Sequence, residues 1–304
     1  MKLHHLRDFI AASEQGSLRA AARQLGMAQP SLSRSVQELE RELGTVLFER
    51  HSKGAVLTPM GRIFLRRARA AVTELKLGKD ELDQLQGGQS GSVTLYLSVA
   101  AHMALLGEVL EPFHARYPKV SLQIMEGALA TALAGLKDGS IDFYAGLLPT
   151  QPISSELVAE TLFDNFRIIV GRAGHPLTKA ASLKELVNAD WFNTAASDQL
   201  GGEVSALFAG HGLPEPRIVG QLNSTLTGIV VLSRTDALAI VPRQWASFAP
   251  TSAFVNQIPV REKIPSGPIA LIKRSTMPLT PAAEYFCDLL RRASLWHETL
   301  ASAR

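Results

Sequence analysis

The chain has 304 residues, 31 lysines and arginines, 28 aspartates and glutamates, and one cysteine. No run of 18 apolar residues occurs, so we expect no membrane span. Arg7, Asp8 and Glu14 interrupt the apolar face of the first helix, so we also expect no signal peptide. Both expectations favour a cytoplasmic protein. One thiol cannot form an intrachain disulfide, and the histidines show no paired metal-binding spacing. A GxSxG nucleophile motif is also missing. We therefore expect no catalytic residue, no metal and no cofactor.

The positive charge is concentrated at one end of the chain. Residues 1–70 contain 12 lysines and arginines against 6 aspartates and glutamates, whereas the remaining residues carry a net charge of −3. A local basic excess attracts the phosphates of nucleic acid. The charge distribution therefore predicts a nucleic-acid-binding region near the N-terminus.

Residues 17–50 predict two helices joined by a tight turn. Ser17 can cap the first helix, in which apolar residues from Leu18 to Leu25 recur at the spacing of one buried stripe. Gly26 can adopt the left-handed conformation that the turn needs, and Pro30 suits the opening turn of the second helix. The pattern is typical of a helix-turn-helix unit.

The second helix has an apolar side and a polar side. Apolar residues from Leu32 to Leu43 follow steps of four, three and four residues, and Arg34, Glu38 and Arg41 fall opposite them. Because Arg pairs with guanine and Gln with adenine in the major groove, we expect the polar side to read DNA, although the charges alone also fit an ordinary solvated face. The candidate DNA-contacting residues of the two helices are Ser17, Gln29, Pro30, Ser31, Ser33, Arg34 and Gln37.

The segment LFERHSKGAVLTPMG predicts a β-hairpin wing after the second helix. Lys53 and Gly54 form its turn, and Thr58 with Pro59 starts another helix. Basic residues on a wing contact phosphates, which set register and affinity without reading sequence. The candidates for this role are Arg50, His51 and Lys53.

These motifs resemble the DNA-binding end of LysR-type transcriptional regulators over roughly the first sixty residues. The chain departs from that family at Ala28, where a serine or threonine is usual; the missing cap costs about 1 kcal/mol of helix stability. The resemblance implies a winged helix-turn-helix DNA-binding domain over residues 1–58. The residues that carry it are Phe9, Ser17, Ala21, Ala22, Leu25, Gln29, Pro30, Ser33, Leu39, Glu40, Leu43, Gly44, Leu47, Phe48, Arg50, Leu57, Thr58 and Gly61.

Residues 59–86 predict one helix about 40 Å long. Its small and apolar residues alternate steps of three and four, which is the pattern of a heptad seam, so we expect it to pair with the same helix of a second chain. Packing against its own chain is the alternative, and Gly78 either allows close approach or marks a weak point. The resemblance implies a linker helix that dimerises the protein and, further, a tetramer. The seam consists of Gly61, Phe64, Ala68, Ala71, Leu75, Gly78, Leu82 and Leu85.

The segment GGQSGS, residues 87–92, predicts a hinge, and strand-like and helical patterns alternate beyond it. This alternation favours an α/β fold with mostly parallel sheets over residues 93–304. The resemblance implies a two-lobed α/β effector domain like a periplasmic binding protein. Lobe I would comprise residues 93–162 and 267–304, and lobe II residues 163–266.

A ligand in open α/β sheets binds beyond the carboxyl ends of the strands, where helix N-termini offer free N–H groups to anions. We therefore expect a small organic acid in the cleft between the lobes. Several candidates also have structural readings: helix caps for Ser98, Ser224 and Thr225, a turn for Asn193, and a surface or satisfied histidine for His102. The candidate effector-binding residues are Ser98, His102, Thr131, Asn193, Thr194, Ser197, Asn223, Ser224 and Thr225.

Together these features predict a ligand-responsive DNA-binding regulator of the LysR type. We expect it to bind inverted-repeat promoter DNA as a dimer or tetramer, with RNA polymerase as a candidate partner and no membrane partner. A solute-binding protein and an enzyme built on the two-lobed domain are the alternatives. The missing export signal and the basic N-terminal region disfavour the solute-binding protein.

Overall fold

The computed structural model describes residues 1–51, 54–194 and 202–302; at residues 50–51 and 298–302 it describes the backbone alone. The N-terminal unit packs three helices and a two-stranded hairpin against the start of a long helix. The Phe9 ring lies 5.4 Å from that of Phe48 and 5.5 Å from that of Phe64, so one buried side chain joins the first helix to the hairpin and the long helix. The elements are α1 (Leu3–Gln15), α2 (Leu18–Gln24), α3 (Gln29–Leu43), β1 (Phe48–His51), β2 (Gly54–Leu57) and α4 (Pro59–Leu85).

The predicted helix-turn-helix is present, with one correction. Ala21 and Ala22 are buried as expected, but Leu25 is 41% exposed, because α2 ends at Gln24 and Leu25 lies beyond its last turn. Gly26 has a φ of +65°, the left-handed conformation that the turn requires. α3 starts at Gln29 without a side-chain cap from Ala28, so packing of its apolar side holds this end of the helix.

The predicted seam of α4 divides into two parts. Gly61, Phe64 and Ala68 pack into the core of the N-terminal unit, as the own-chain alternative required. Farther along, Leu75 and Leu82 are 60% and 62% exposed, and Leu85 is 69% exposed. The first half of the helix is therefore an internal packing element, and the second half presents apolar side chains to solvent.

The segment predicted as a hinge is tied to its surroundings. The Gln84 side chain donates to Ser90 O at 3.0 Å and accepts from the Ala282 amide at 2.9 Å, and the Ser90 hydroxyl donates to Asp83 at 2.6 Å. Ser92, the last residue of the predicted hinge, already pairs with Ser121 in a sheet. α4 is thus attached to lobe I through side chains as well as through the chain.

Two five-stranded sheets follow, each covered by helices. The first lobe contains β3 (Ser92–Leu97), α5 (Val99–Arg116), β4 (Ser121–Glu126), α6 (Leu129–Asp138), β5 (Phe143–Leu147), β6 (Leu157–Phe163), β12 (Ile269–Arg274) and α11 (Pro281–Ser302). The second contains β7 (Arg167–Arg172), a 3-10 helix (Leu183–Leu186), β8 (Asp190–Thr194), α7 (Gly202–Gly210), β9 (Arg217–Leu222), α8 (Thr225–Leu232), β10 (Leu238–Pro242), α9 (Gln244–Ser247), α10 (Ala249–Ser252) and β11 (Val255–Ile258).

The sheets are less parallel than expected. Lobe I has the strand order β4-β3-β5-β12-β6 and lobe II the order β11-β7-β10-β8-β9. Three adjacent strands of each sheet are parallel, but β12 in lobe I and β7 in lobe II run antiparallel to both neighbours. These two strands come directly after the segments that cross between the lobes. Each therefore starts at the end of its sheet that lies nearest the crossing segments.

Candidate DNA-binding surface and effector cleft

The predicted reading side of α3 is open to solvent. Leu32, Val36 and Leu39 are buried, so the helix is anchored along the opposite stripe. Ser33 is half-buried, whereas the other candidates on α3 are exposed, namely Gln29, Pro30, Ser31, Arg34 and Gln37. The first turn of α3 and its outward side therefore present one uncovered polar surface with an arginine at its centre.

Two polar residues of this unit make contacts within the unit, and one of them is the cap predicted at Ser17. The Ser17 hydroxyl accepts from the Ala20 amide at 3.4 Å and caps α2. Glu38, placed on the outward side by its spacing, is half-buried and lies 3.4 Å from the ring of buried His5. Glu38 therefore makes a contact inside its own unit.

Glu40 positions the wing, a role that spacing alone did not reveal. Its carboxylate accepts from the amides of Leu47 and Phe48 at 2.7 and 3.2 Å, which fixes the start of β1 against α3. A charge-assisted bond of this kind is stronger than one between neutral groups. Glu40 therefore fixes the distance between α3 and the wing within one chain.

The predicted hairpin is present, and its second strand starts at Gly54, the residue at which its turn was expected to end. β1 and β2 pair from Phe48 opposite Leu57 to His51 opposite Gly54, so Gly54 lies in a strand. Its φ is +141°, and a Cβ there would lie 2.4 Å from Gly16 O, so only glycine fits. Arg50 and His51 belong to β1, their side chains are not described, and Lys53 lies outside the described residues.

The carboxyl ends of the parallel strands in both lobes meet near the two crossing segments. Ile269, the first residue of β12, pairs with Leu147 at the end of β5, and Arg167, the first residue of β7, pairs with Pro242 at the end of β10. Since residues 164–166 and 259–268 carry the chain between the lobes, these edges face each other. Asn165 of one crossing segment donates to Ser266 of the other at 2.8 Å.

Several predicted effector residues lie at these edges, and some are helix caps. Ser98 accepts from the Ala101 amide at 3.4 Å to cap α5, and Ser224 accepts from the Thr227 amide at 3.1 Å to cap α8. His102 Nδ1 lies 3.3 Å from Ser98 O. The remaining described candidates are exposed or half-buried, namely Thr131, Asn193, Thr194, Asn223 and Thr225, and Ser197 lies outside the described residues.

Contacts between the two lobes include one carboxylate, the helix α5, and Gln244 Nε2 of lobe II, which lies 3.2 Å from His297 Nε2 of lobe I. Glu126, at the end of β4 in lobe I, accepts from the Thr225 hydroxyl at 3.0 Å and from the Thr225 amide at 3.4 Å. Val99 and Met103 of α5 pack against an apolar cluster of lobe II. Sequence reasoning missed Glu126, because a single glutamate at a strand end gives no distinctive signal.

An ion pair lies at the strand ends of lobe II. Arg167 Nη2 is 2.7 Å from Glu203 Oε2, and it donates to Ile240 O at 2.8 Å and to the Thr194 hydroxyl at 3.3 Å. Burial raises the pKa of the Glu203 carboxyl and lowers that of the Arg167 guanidinium, and each charge opposes the shift of the other. The sequence signal for this ion pair was Arg167, a charged residue at the start of the apolar strand 167–172. Sequence analysis missed it.

Two open pockets lie on lobe II, away from the predicted residues. One, of about 370 Å³, includes Phe166, Arg243 and Gln257 in its lining; the other, of about 480 Å³, includes His175 and Arg217. Neither is lined by a predicted effector residue. Within the described part of the chain no group of three or more His, Cys, Asp or Glu residues could hold a metal ion.

Comparison with known proteins agrees with this architecture. Residues 3–62 match the model for the bacterial regulatory helix-turn-helix protein, lysR family, and residues 86–294 match the LysR substrate binding domain. The chain belongs to the LysR family of transcriptional regulators. It is a DNA-binding regulator with an effector-binding domain.

Relatives and solved structures cover nearly the whole LysR-type chain. It is 30% identical to the HTH-type transcriptional regulator GbpR of Azospirillum brasilense, over 97% of this chain and 87% of that protein. The crystal structure of CbnR, a LysR family transcriptional regulator, superposes with a TM-score of 0.70 at 22% identity and covers 97% of this chain and 99% of CbnR. Full-length CbnR complexed with its target DNA superposes with a TM-score of 0.68 at 23% identity, covering 96% of this chain and all of that one.

The family comparison also bears on the alternatives. The relatives are transcriptional regulators, which agrees with the expectation of a non-enzymatic protein.

Among the helices that the structure describes, none is both long and apolar enough to cross a membrane.

Proposed function

We propose that this LysR-family regulator binds inverted-repeat promoter DNA as a homodimer or tetramer and responds to a small anionic organic molecule held between its lobes. Residues 1–58 would bind DNA, 59–86 would link and dimerise, and 87–92 would join them to the effector domain over 93–304. The observation that carries the proposal is the uncovered polar face of α3 around Arg34. RNA polymerase remains a candidate partner.

On DNA, α3 would enter the major groove and the wing would follow the backbone. The uncovered face supports base contacts by Arg34 and Gln37, with Gln29, Pro30, Ser31 and Ser33 at the groove edge. Arg50, His51 and Lys53 would neutralise phosphates. Ser17 would act through the start of α2, because its side chain serves as the cap.

The second half of α4 supports dimerisation. Leu75, Leu82 and Leu85 form an exposed apolar stripe at heptad spacing, which a single helix leaves in water at a cost in free energy. Pairing with the same helix of a second chain would cover this stripe. It would also place two reading helices on one duplex.

The meeting strand ends support an effector site between the lobes. Asn193, Thr194, Asn223 and Thr225 would face the ligand, with Thr131 at the rim and Ser197 from the loop after β8. Ser98, His102 and Ser224 would contribute through the helix starts that they cap or adjoin. The ligand would shift the arrangement of subunits only if it binds one arrangement more tightly than the other.

A mobility-shift assay on promoter fragments tests the DNA-binding role. We expect a site-specific shift whose log affinity falls steeply with log salt, and its loss in Arg34→Ala because a bidentate base contact is removed. The matched control is Arg234→Ala, which removes an exposed arginine from lobe II. Unchanged operator affinity in Arg34→Ala would refute the assignment of α3 to the major groove. If the parent protein binds a small molecule but shifts no DNA fragment, the result would support the solute-binding alternative.

A further inference from the structure

His5 is a buried polar residue at the junction of α1 and α3. Its side chain is 5% exposed, and its Nε2 lies 3.4 Å from Oε2 of Glu38 on α3. Its Nδ1 is buried and has no partner among the described residues. A buried polar atom without a partner costs free energy, and an apolar side chain at this position would avoid that cost. The contact with Glu38 is what a histidine adds here.

Glu38 has two arginines within reach on its own helix. Arg34 lies four residues before it and Arg41 three residues after it, and residues at these spacings are neighbours on a helix surface. A glutamate placed in this way attracts both guanidinium groups. Both arginines are exposed, however, and within the described part of the chain neither forms an ion pair with Glu38. The Glu38 carboxylate contacts α1 instead.

The choice of partner for Glu38 bears on DNA binding. A guanidinium paired with a carboxylate must give up that partner before it can donate to a base or a phosphate. We propose that His5 is a positioning residue, which holds Glu38 against α1 and so leaves the guanidinium groups of Arg34 and Arg41 available to DNA. The inference rests on the proposed docking of α3 in the major groove.

The packing around His5 suits this role. Leu6 and Phe9 of α1 share a buried apolar cluster with Leu32 and Leu39 of α3, so the two helices are fixed against each other. The Glu38 side chain, in contrast, is 41% exposed and has room to turn. Because only rotation about side-chain bonds separates its two sets of partners, one contact from α1 is enough to decide between them.

A double-mutant cycle in the full-length protein tests the proposal, with affinity for a promoter fragment and hydrogen exchange at the arginine Nε–H groups as readouts. We expect His5→Ala to weaken promoter binding about twofold to fivefold, because Glu38 then pairs with an arginine. Adding Glu38→Gln should restore at least the parental affinity, since a neutral amide does not neutralise a guanidinium. In the protein without DNA, His5→Ala should slow exchange at Arg34 or Arg41 about twofold, and Glu38→Gln should remove this slowing.

Two further variants separate positioning from a general weakening of α1. His5→Gln supplies an amide N–H with a reach similar to that of Nε2, so it should keep the parental affinity. Ala12→Gly is the matched control, because it loosens α1 at a buried position that offers no polar side chain. In that background Glu38→Gln should change the affinity only as it does in the parent.

Unchanged exchange at both arginines in His5→Ala, or a loss of affinity that Glu38→Gln does not restore, would overturn the proposal. If exchange slows in His5→Ala but Arg34→Ala binds the promoter normally, the assignment of Arg34 to the groove alone fails. If Arg34→Ala loses promoter binding while His5→Ala keeps full affinity, this inference alone fails.

Discussion

Gly61 and Gly78 lie on one helix and have opposite surroundings. A Cβ on Gly61 would lie 2.1 Å from Leu47 O, a backbone atom of the wing base, whereas a Cβ on Gly78 would meet nothing within 4 Å. Gly61 is therefore required for the close approach of α4 to the wing. Within one chain, Gly78 is a helix position where alanine fits.

We expect Gly61→Ala to lower the free energy of unfolding by about 1–3 kcal/mol through overpacking. Gly78→Ala should raise it by about 0.5–1 kcal/mol, because alanine restricts the unfolded chain. Urea unfolding followed by circular dichroism measures both. If Gly78→Ala instead weakens the dimer, a second helix must approach closely at that glycine. This result would show that Gly78 allows close approach and is not a weak point of the helix.

Asp142 is a buried carboxyl at the base of lobe I. Burial raises its pKa to about 6, although it accepts a bond from the Thr94 amide at 2.7 Å. Because the folded state holds the proton more tightly than the unfolded chain, with its ordinary pKa of 3.8, this group stabilises the fold as the pH falls through 6.

Between pH 7 and pH 5 the Asp142 carboxyl should therefore add about 1 kcal/mol to the free energy of unfolding. Asp142→Asn does not titrate, so the difference between parent and variant isolates this contribution from other groups. Denaturant unfolding at the two pH values measures it. A variant with the same pH dependence as the parent would contradict the assignment.

At the scale of elements, α4 joins two environments. Its first half belongs to the core of the DNA-binding unit, and its second half is attached to lobe I by Gln84 and exposes Leu75, Leu82 and Leu85. A rigid helix fixed at both ends can transmit the arrangement of the effector domains to the reading helices. The same stripe is the surface at which we place the second chain.

We expect Leu82→Glu to shift the protein toward monomers by at least tenfold in dissociation constant, since a charge would face the apolar stripe of the partner. Lys79→Glu is the control, because Lys79 is an exposed residue of the same helix outside the seam. Sedimentation equilibrium measures both. An unchanged dissociation constant for Leu82→Glu would place the dimer interface elsewhere.

At the scale of the whole molecule, Glu126 braces lobe I against lobe II. We expect Glu126→Ala to speed amide hydrogen exchange at Thr225 about fivefold, since this carboxylate is the acceptor for the first amide of α8. Glu108→Ala, which alters an exposed glutamate of α5, should leave that rate unchanged. Equal rates in the two variants would show that Glu126 does not hold the lobes together.

Periodicity and turn chemistry were sufficient to predict the helix-turn-helix, the hairpin, the long helix and the alternating α/β region, because these features depend on local spacing. The division of that region into two lobes was implied by the family resemblance alone. Leu25 was assigned wrongly because its burial depends on where α2 ends, which neighbouring elements decide. Glu126 could not be paired in advance, because its partner Thr225 lies 99 residues away in the other lobe. Arg167 and Glu203 could not be paired either, because they meet only through the packing of lobe II.

Chemical footprinting of the major groove on a bound promoter tests the central claim most directly. If the exposed face of α3 reads DNA from two paired chains, guanine N7 protection should appear at two half-sites on one face of the duplex, separated by one or more helical turns. Both patches should vanish together in Arg34→Ala. A single protected patch, or two patches that persist in Arg34→Ala, would contradict the account.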